Sequence, residues 1–183
     1  MKQLLILSGK GGTGKTTIAS AFIKLAKAKA FADCDVDAPN LHLITKHDSP
    51  AKHLDYYGMG KSVIDTNKCN KCGLCKQNCR FDAIKLDNDQ YKVDYYACEG
   101  CSVCEAICPA NAIHMEPDLA GEQMVYINDS VFSTAQLKMG SGTSGLLVTE
   151  VKKQMKDNAA DDTKLAIIDG SPGIGCPVIA SLS

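Results

Sequence analysis

The sequence has no surplus of charge of either sign: 20 lysines and arginines stand against 21 aspartates and glutamates over 183 residues. So even a balance lacks the basic footprint of a nucleic-acid partner or of an arm held on an acidic membrane surface. Long apolar runs are missing too. No segment stays apolar for the roughly 20 residues needed to cross a bilayer, so no stable membrane insertion is expected. Lys2 precedes an apolar run at residues 4–7, but that run is far shorter than the core of a secretory signal and leads straight into glycine. A cytoplasmic location is therefore expected. In a reducing compartment the ten cysteines are expected to be metal ligands or buried thiols rather than disulfides. The length suits one α/β domain with a small insertion.

Hydrophobic periodicity predicts a buried strand at 3–8, a glycine-rich turn, and a helix over 16–29 with Ile18, Phe22, Leu25 and Ala26 at helical spacing. A second strand is predicted at 31–35, ending in the acidic run DCDVDAPN, where Pro39 interrupts any regular element. Residues 41–65 give mixed signals. The cysteine repeat fills 66–118, which divides the chain into a discontinuous first domain, 1–65 and 119–183, and an inserted second domain. Beyond it the pattern predicts a strand at 123–132, a flexible GSGTSG loop, a helix at 146–155 and a buried strand, KLAIID, at 164–169. SPGIGCP is the loop after that strand, and VIASLS reads as the first turns of a helix. A doubly wound sheet would continue, so the chain is expected to be truncated at its C-terminus.

Gly9, Gly14, Lys15 and Thr16 satisfy G-x-x-x-x-G-K-[ST] directly after one predicted strand and at the start of a helix. Such a loop, completed by Lys10, Gly11, Gly12, Thr13 and Thr17, is a cradle for ATP or ADP. Its glycines let backbone N–H groups face phosphate oxygens, the helix N-terminus adds positive potential, Lys15 reaches the β and γ phosphates, and Thr16 offers a hydroxyl to Mg²⁺. The early lysine makes the loop KGGTGKT, which resembles the deviant Walker A loop of the MinD/ParA/Mrp ATPases. That resemblance implies that Lys10 reaches the nucleotide of a partner subunit in a dimer. It further implies that Asp35, within the run Asp33, Asp35 and Asp37, orients the attacking water. Asp169, before GSPGIG, resembles the family's Mg²⁺-shell aspartate. The D-x-D-x-D pattern does not suit calcium, because Ala38 and Ile44 stand where a calcium loop needs Gly and Glu.

Cys69, Cys72, Cys75 and Cys79 follow C-x2-C-x2-C-x3-C, and Cys98, Cys101, Cys104 and Cys108 repeat it 29 residues later. Ala83 and Ile84 return as Ala112 and Ile113, so each half is one unit of a pseudo-twofold pair. Three thiolates spaced by two residues can wrap one face of a cubane, while the fourth ligates the other cluster. The first [4Fe-4S] cluster is thus expected on Cys69, Cys72, Cys75 and Cys108, and the second on Cys98, Cys101, Cys104 and Cys79. Zinc, the alternative, favours two CxxC pairs with a longer spacer. The pattern resembles a bacterial two-cluster ferredoxin, with the departure that Arg80 follows Cys79 where Pro109 follows Cys108. Cys34 and Cys176 lie outside the repeat and are expected to be small apolar residues near the nucleotide site.

Together the motifs resemble a MinD-superfamily P-loop ATPase with an inserted ferredoxin domain. The resemblance implies an α/β P-loop NTPase fold of the SIMIBI type, a doubly wound parallel sheet bearing a small α+β ferredoxin-like insertion with two [4Fe-4S] clusters. It implies ATPase activity in a homodimer or paralogous heterodimer, with a redox or iron–sulfur client protein as partner. Three functions are compatible with it: nucleotide control of cluster-mediated electron transfer or docking, a cluster carrier or scaffold for apo-proteins, or an electron-transfer module on an inert ATPase platform. The first is favoured, since the closed ligand pattern retains clusters and both Lys15 and Asp35 are present.

Overall fold

The computed structural model describes residues 1–47 and 49–183. In chain order its elements are β1 (Lys2–Ser8), α1 (Lys15–Ala26), β2 (Ala30–Asp33), a 3₁₀ turn (Leu41–Leu43), β3 (Lys52–Tyr57) and β4 (Lys61–Ile64). Then come α2 (Leu74–Asn78), β5 (Ile84–Asp87), β6 (Gln90–Val93), α3 (Val103–Ala106) and β7 (Ile113–Glu116). The chain closes with β8 (Leu119–Ile127), β9 (Val131–Leu137), α4 (Ser144–Asn158), β10 (Leu165–Pro172) and α5 (Cys176–Leu182). Two compact units emerge: Met1–Tyr56 with Ala120–Met139 and Thr143–Ser183, and Tyr57–Leu119 with Gly140–Gly142. The cysteine unit thus starts upstream of residue 66, because β4 pairs with β7 at its far end.

The first unit is a mixed α/β structure on a six-stranded sheet in the order β1-β10-β2-β9-β8-β3. Strands β1, β10, β2 and β9 run parallel. Strand β8 is antiparallel to β9, so the sheet expected to be parallel is mixed at this side. The cause is local: Asn128, Asp129 and Ser130 are turn formers, and so short a connection can only reverse the chain. Residues 123–132, expected as one strand, therefore straddle that hairpin.

Alternation along the central strands supplies both faces of the sheet. Ala30, Ala32, Ala166 and Ile168 pack with Leu147, Val148, Val151 and Met155 of α4, while Phe31 and Ile167 pack with Ala19 and Ile23 of α1. Helix α1 ends before the predicted residue 29 because Lys27 turns left-handed at φ 48°. The Ala28 N–H then bonds the Ile23 carbonyl, closing the last turn.

The second unit holds two two-stranded sheets, β4 with β7 and β5 with β6. Its backbone repeats as its sequence does. Lys71 and Gly100, Gly73 and Ser102, and Asp82 and Asn111 are all left-handed, each pair separated by the 29-residue offset. Such turns cost a side chain strain, so three recurrences mark a true structural duplication. Between the halves, Cys75, Ile84, Cys104 and Ile113 form a small buried core.

Candidate functional site: a glycine-loop hollow and two cysteine-lined hollows

In the first unit the loop after β1 borders an open hollow of about 540 Å³, mouth included, lined by Ser8, Gly11, Gly12, Thr13, Gly14, Lys15, Thr16, Thr17, Asp35, Asn40 and Pro172. Gly12 and Gly14 take positive φ, and a Cβ on Gly9, Gly11, Gly12 or Gly14 would project into open space. The loop therefore exposes backbone rather than side chains, and the first N–H groups of α1 have no intrahelical acceptor. Lys15 is buried and its ammonium donates to Asp169 Oδ1 across 2.5 Å. The other carboxylate oxygen of Asp169 is buried with no hydrogen-bond partner.

Asp33 underpins the opposite wall. Its carboxylate accepts the N–H groups of Asp35 at 3.0 Å, Asn40 at 3.0 Å and Leu41 at 2.9 Å, fixing the loop that carries Asp35. Burial nevertheless outweighs those bonds and pushes the Asp33 carboxyl up to about 6. Asp35 is half-buried, and burial raises its carboxyl as well, with Lys15 opposing and Asp169 and Asp37 adding. Lys10 is exposed and does not line the hollow, and neither does exposed Asp37. Ser8, Asn40 and Pro172 join the site without a sequence signal of their own.

In the second unit the eight repeat cysteines separate into two sets. Cys69, Cys72, Cys75 and Cys108 line one hollow, with Tyr91, Ile64 and Ile113 beside them. Cys79, Cys98, Cys101 and Cys104 line the other, with Ser62, Phe81 and Ile84. The volumes, about 320 and 340 Å³ including the mouths, are nearly equal, as a duplicated unit requires. Among the described residues no group of three or more His, Cys, Asp or Glu side chains is disposed to hold a single metal ion.

The two sets differ electrostatically. Burial pushes the Cys75 thiol up. At Cys98 burial also acts upward, but the N–H groups of Ser62 and Gly100, the Ser62 hydroxyl and the Lys61 charge together bring the thiol below its ordinary value. Exposed Arg80 lines neither hollow.

Cys34 is fully buried in the sheet core, where burial pushes its thiol up to about 12. Cys176 is exposed at the start of α5, contrary to the expectation of a packed apolar thiol, because the helix begins there and turns its first residue outward.

Residues 62–115 match the model of a 4Fe-4S dicluster domain. That segment is an iron–sulfur cluster-binding domain. The dicluster domain accounts for all eight repeat cysteines and for both hollows that they line. A comparison over almost the whole chain adds a curated relative from Methanocaldococcus jannaschii, named "Uncharacterized protein MJ0578". It is 36% identical over 188 residues, covering 98% of this chain and 63% of the relative. The chain thus spans less than two thirds of the length of the relative it matches. Among the described residues no helix is long and apolar enough to cross a membrane.

Proposed function

We propose that the protein is a MinD/ParA/Mrp-type P-loop ATPase whose nucleotide state controls electron exchange through two [4Fe-4S] clusters. The observation that carries the nucleotide half is Lys15, which lines the open glycine-loop hollow and pairs with fully buried Asp169, whose second carboxylate oxygen has no hydrogen-bond partner. A buried carboxylate oxygen without a donor costs about 1–3 kcal/mol or more, and a hydrated cation would satisfy it. The residues suit MgATP: backbone N–H groups from Gly11 to Thr17 and the Lys15 ammonium for phosphate oxygens, the Thr16 hydroxyl and, through water, Asp169 for Mg²⁺. Bound ATP would supply the phosphoanhydride, and half-buried Asp35 would hold the attacking water. Lys10, exposed on the loop, would serve the partner subunit in a homodimer or a paralogous heterodimer.

For the clusters, the two sets of four thiols support the crossed assignment, with Cys108 joining Cys69, Cys72 and Cys75, and Cys79 joining Cys98, Cys101 and Cys104. Cys75, Cys98 and Cys104 are buried, which favours retained clusters over donated ones. Coupling is favoured by connectivity. The chain leaves the first unit after Tyr56 and re-enters it after Leu119, so both ends of the dicluster domain are covalently joined to the unit that carries the glycine loop. The test is MgATP turnover by anaerobically purified protein carrying both clusters. Turnover that differs between dithionite-reduced and oxidised protein supports the proposal, and an absence of both MgATP binding and turnover overturns it.

A further inference from the structure

The two cluster sites are related by the 29-residue repeat, yet the strands that flank them carry different chemistry at matching positions. In β4, Ser62 stands opposite Met115; in β6, Tyr91 stands opposite Leu86. Ser62 and Tyr91 are repeat mates, and each lines its own hollow: Ser62 the one with Cys79, Cys98, Cys101 and Cys104, Tyr91 the one with Cys69, Cys72, Cys75 and Cys108. Ser62 is 6% exposed, and its Oγ lies 3.0 Å from Cys104 Sγ, 3.8 Å from Cys98 Sγ and 3.4 Å from Met115 Sδ. One residue earlier the mates again differ. Lys61 donates to the Cys98 carbonyl at 2.6 Å, while its counterpart Gln90 is neutral.

Resting on the crossed ligand assignment above, we propose that Ser62, aided by Lys61, raises the reduction potential of the second cluster, so that an added electron settles there rather than on the first. A ligating cysteine is a thiolate without a proton. The Ser62 hydroxyl must therefore donate, and Cys104, its nearest sulfur, is the acceptor. One electron from an external reductant adds a negative charge to a cluster while no bond forms or breaks. A hydrogen bond to sulfur and a nearby cation stabilise that added charge, and both act as levers on cluster potential. Tyr91, which lines the first hollow, supplies neither there.

Three features oppose the bias. The Ala112 N–H bonds Cys108 Sγ at 3.3 Å and the Lys76 N–H bonds Cys75, both favouring the first cluster. Glu99 lines the second hollow, where its charge disfavours reduction. Glu99 is exposed, so water and salt screen it, whereas the Ser62 bond is shorter than the Ala112 bond and sits where screening is weak. The buried hydroxyl and the lysine therefore prevail.

The experiment is an EPR-monitored dithionite titration of the reconstituted protein, with iron and sulfide determined on every sample. The unsubstituted protein should give two separated one-electron potentials. Ser62→Ala should lower the higher one by at least a tenfold change in its reduction equilibrium, about 59 mV for one electron, and leave the lower one in place. Ser62→Thr, which keeps the hydroxyl, should restore the higher value. Lys61→Gln should lower it with the iron content unchanged. If Ser62→Ala carries full iron and both potentials are unmoved, the inference is wrong while the ligand assignment stands. Should Ser62→Ala lose a cluster, Tyr91→Ser decides: full iron with no rise of the lower potential rejects the inference. Stoichiometric zinc without labile sulfide in the unsubstituted protein overturns the ligand assignment and this inference together.

Discussion

Lys15 and Asp169, 154 positions apart in the sequence, meet as an ion pair of 2.5 Å that is almost wholly buried. Strand β1 leads into the loop before Lys15, strand β10 carries Asp169, and the two strands are parallel neighbours. Removing one charge from such a pair strands the other. Lys15→Ala should destabilise the first unit by about 3–5 kcal/mol in denaturant unfolding, and Lys15→Ala with Asp169→Asn should recover most of that loss. Neither protein should bind MgATP in calorimetry. Equal destabilisation of the single and double variants would show that the pair is not the cause.

Replacing Cys34 or Cys176 by Ser should leave iron and sulfide at about eight each per chain, since the eight repeat cysteines supply two four-thiolate sets. Cys108→Ala should disturb the cluster of the first repeat and Cys79→Ala that of the second, read by EPR. Loss of iron in either the Cys34 or the Cys176 variant would reject the ligand assignment.

Lys10→Ala should spare the monomer's affinity for MgATP, because Lys10 does not line its own hollow. It should reduce the MgATP-dependent dimer seen by light scattering, together with ATPase rate. An unchanged rate would make Lys10 an ordinary loop charge.

Asp33 predicts a pH dependence. Its carboxyl is raised from an ordinary value of 3.8 to about 6, so the folded protein keeps a proton that the unfolded chain has already released. Stability attributable to this group is therefore greatest below pH 4 and falls as pH rises through 6, by about 3 kcal/mol in total at 1.4 kcal/mol per unit. Asp33→Asn, which cannot ionise, should show a flatter stability profile between pH 4 and 7. Parallel profiles would contradict the assignment.

Much of the site was legible because its chemistry depends on spacing. The eight cysteines and the GKGGTGKT loop lie in short segments, where fixed offsets dictate which groups can converge. Less legible were features made by distant pairing. The β8–β9 hairpin is hidden in the sequence because apolar alternation continues on either side of Asn128, and the assignment of β4 to the cysteine unit depends on its pairing with β7. In the sequence Asp33 is one member of an acidic run, and its support of the loop through Leu41 exists only in the folded backbone. The contrast between Ser62 and Tyr91 was present in the sequence as repeat mates, although only the two hollows give it meaning.

The central claim is that nucleotide occupancy and cluster redox state are thermodynamically linked. Its most direct test is the MgATP dissociation constant of the same anaerobic preparation with its clusters fully oxidised and fully reduced. A coupling of about 1–3 kcal/mol predicts affinities that differ roughly 5- to 150-fold, with a reciprocal shift in cluster potential when MgATP binds. Identical MgATP affinities in the two redox states would contradict the account.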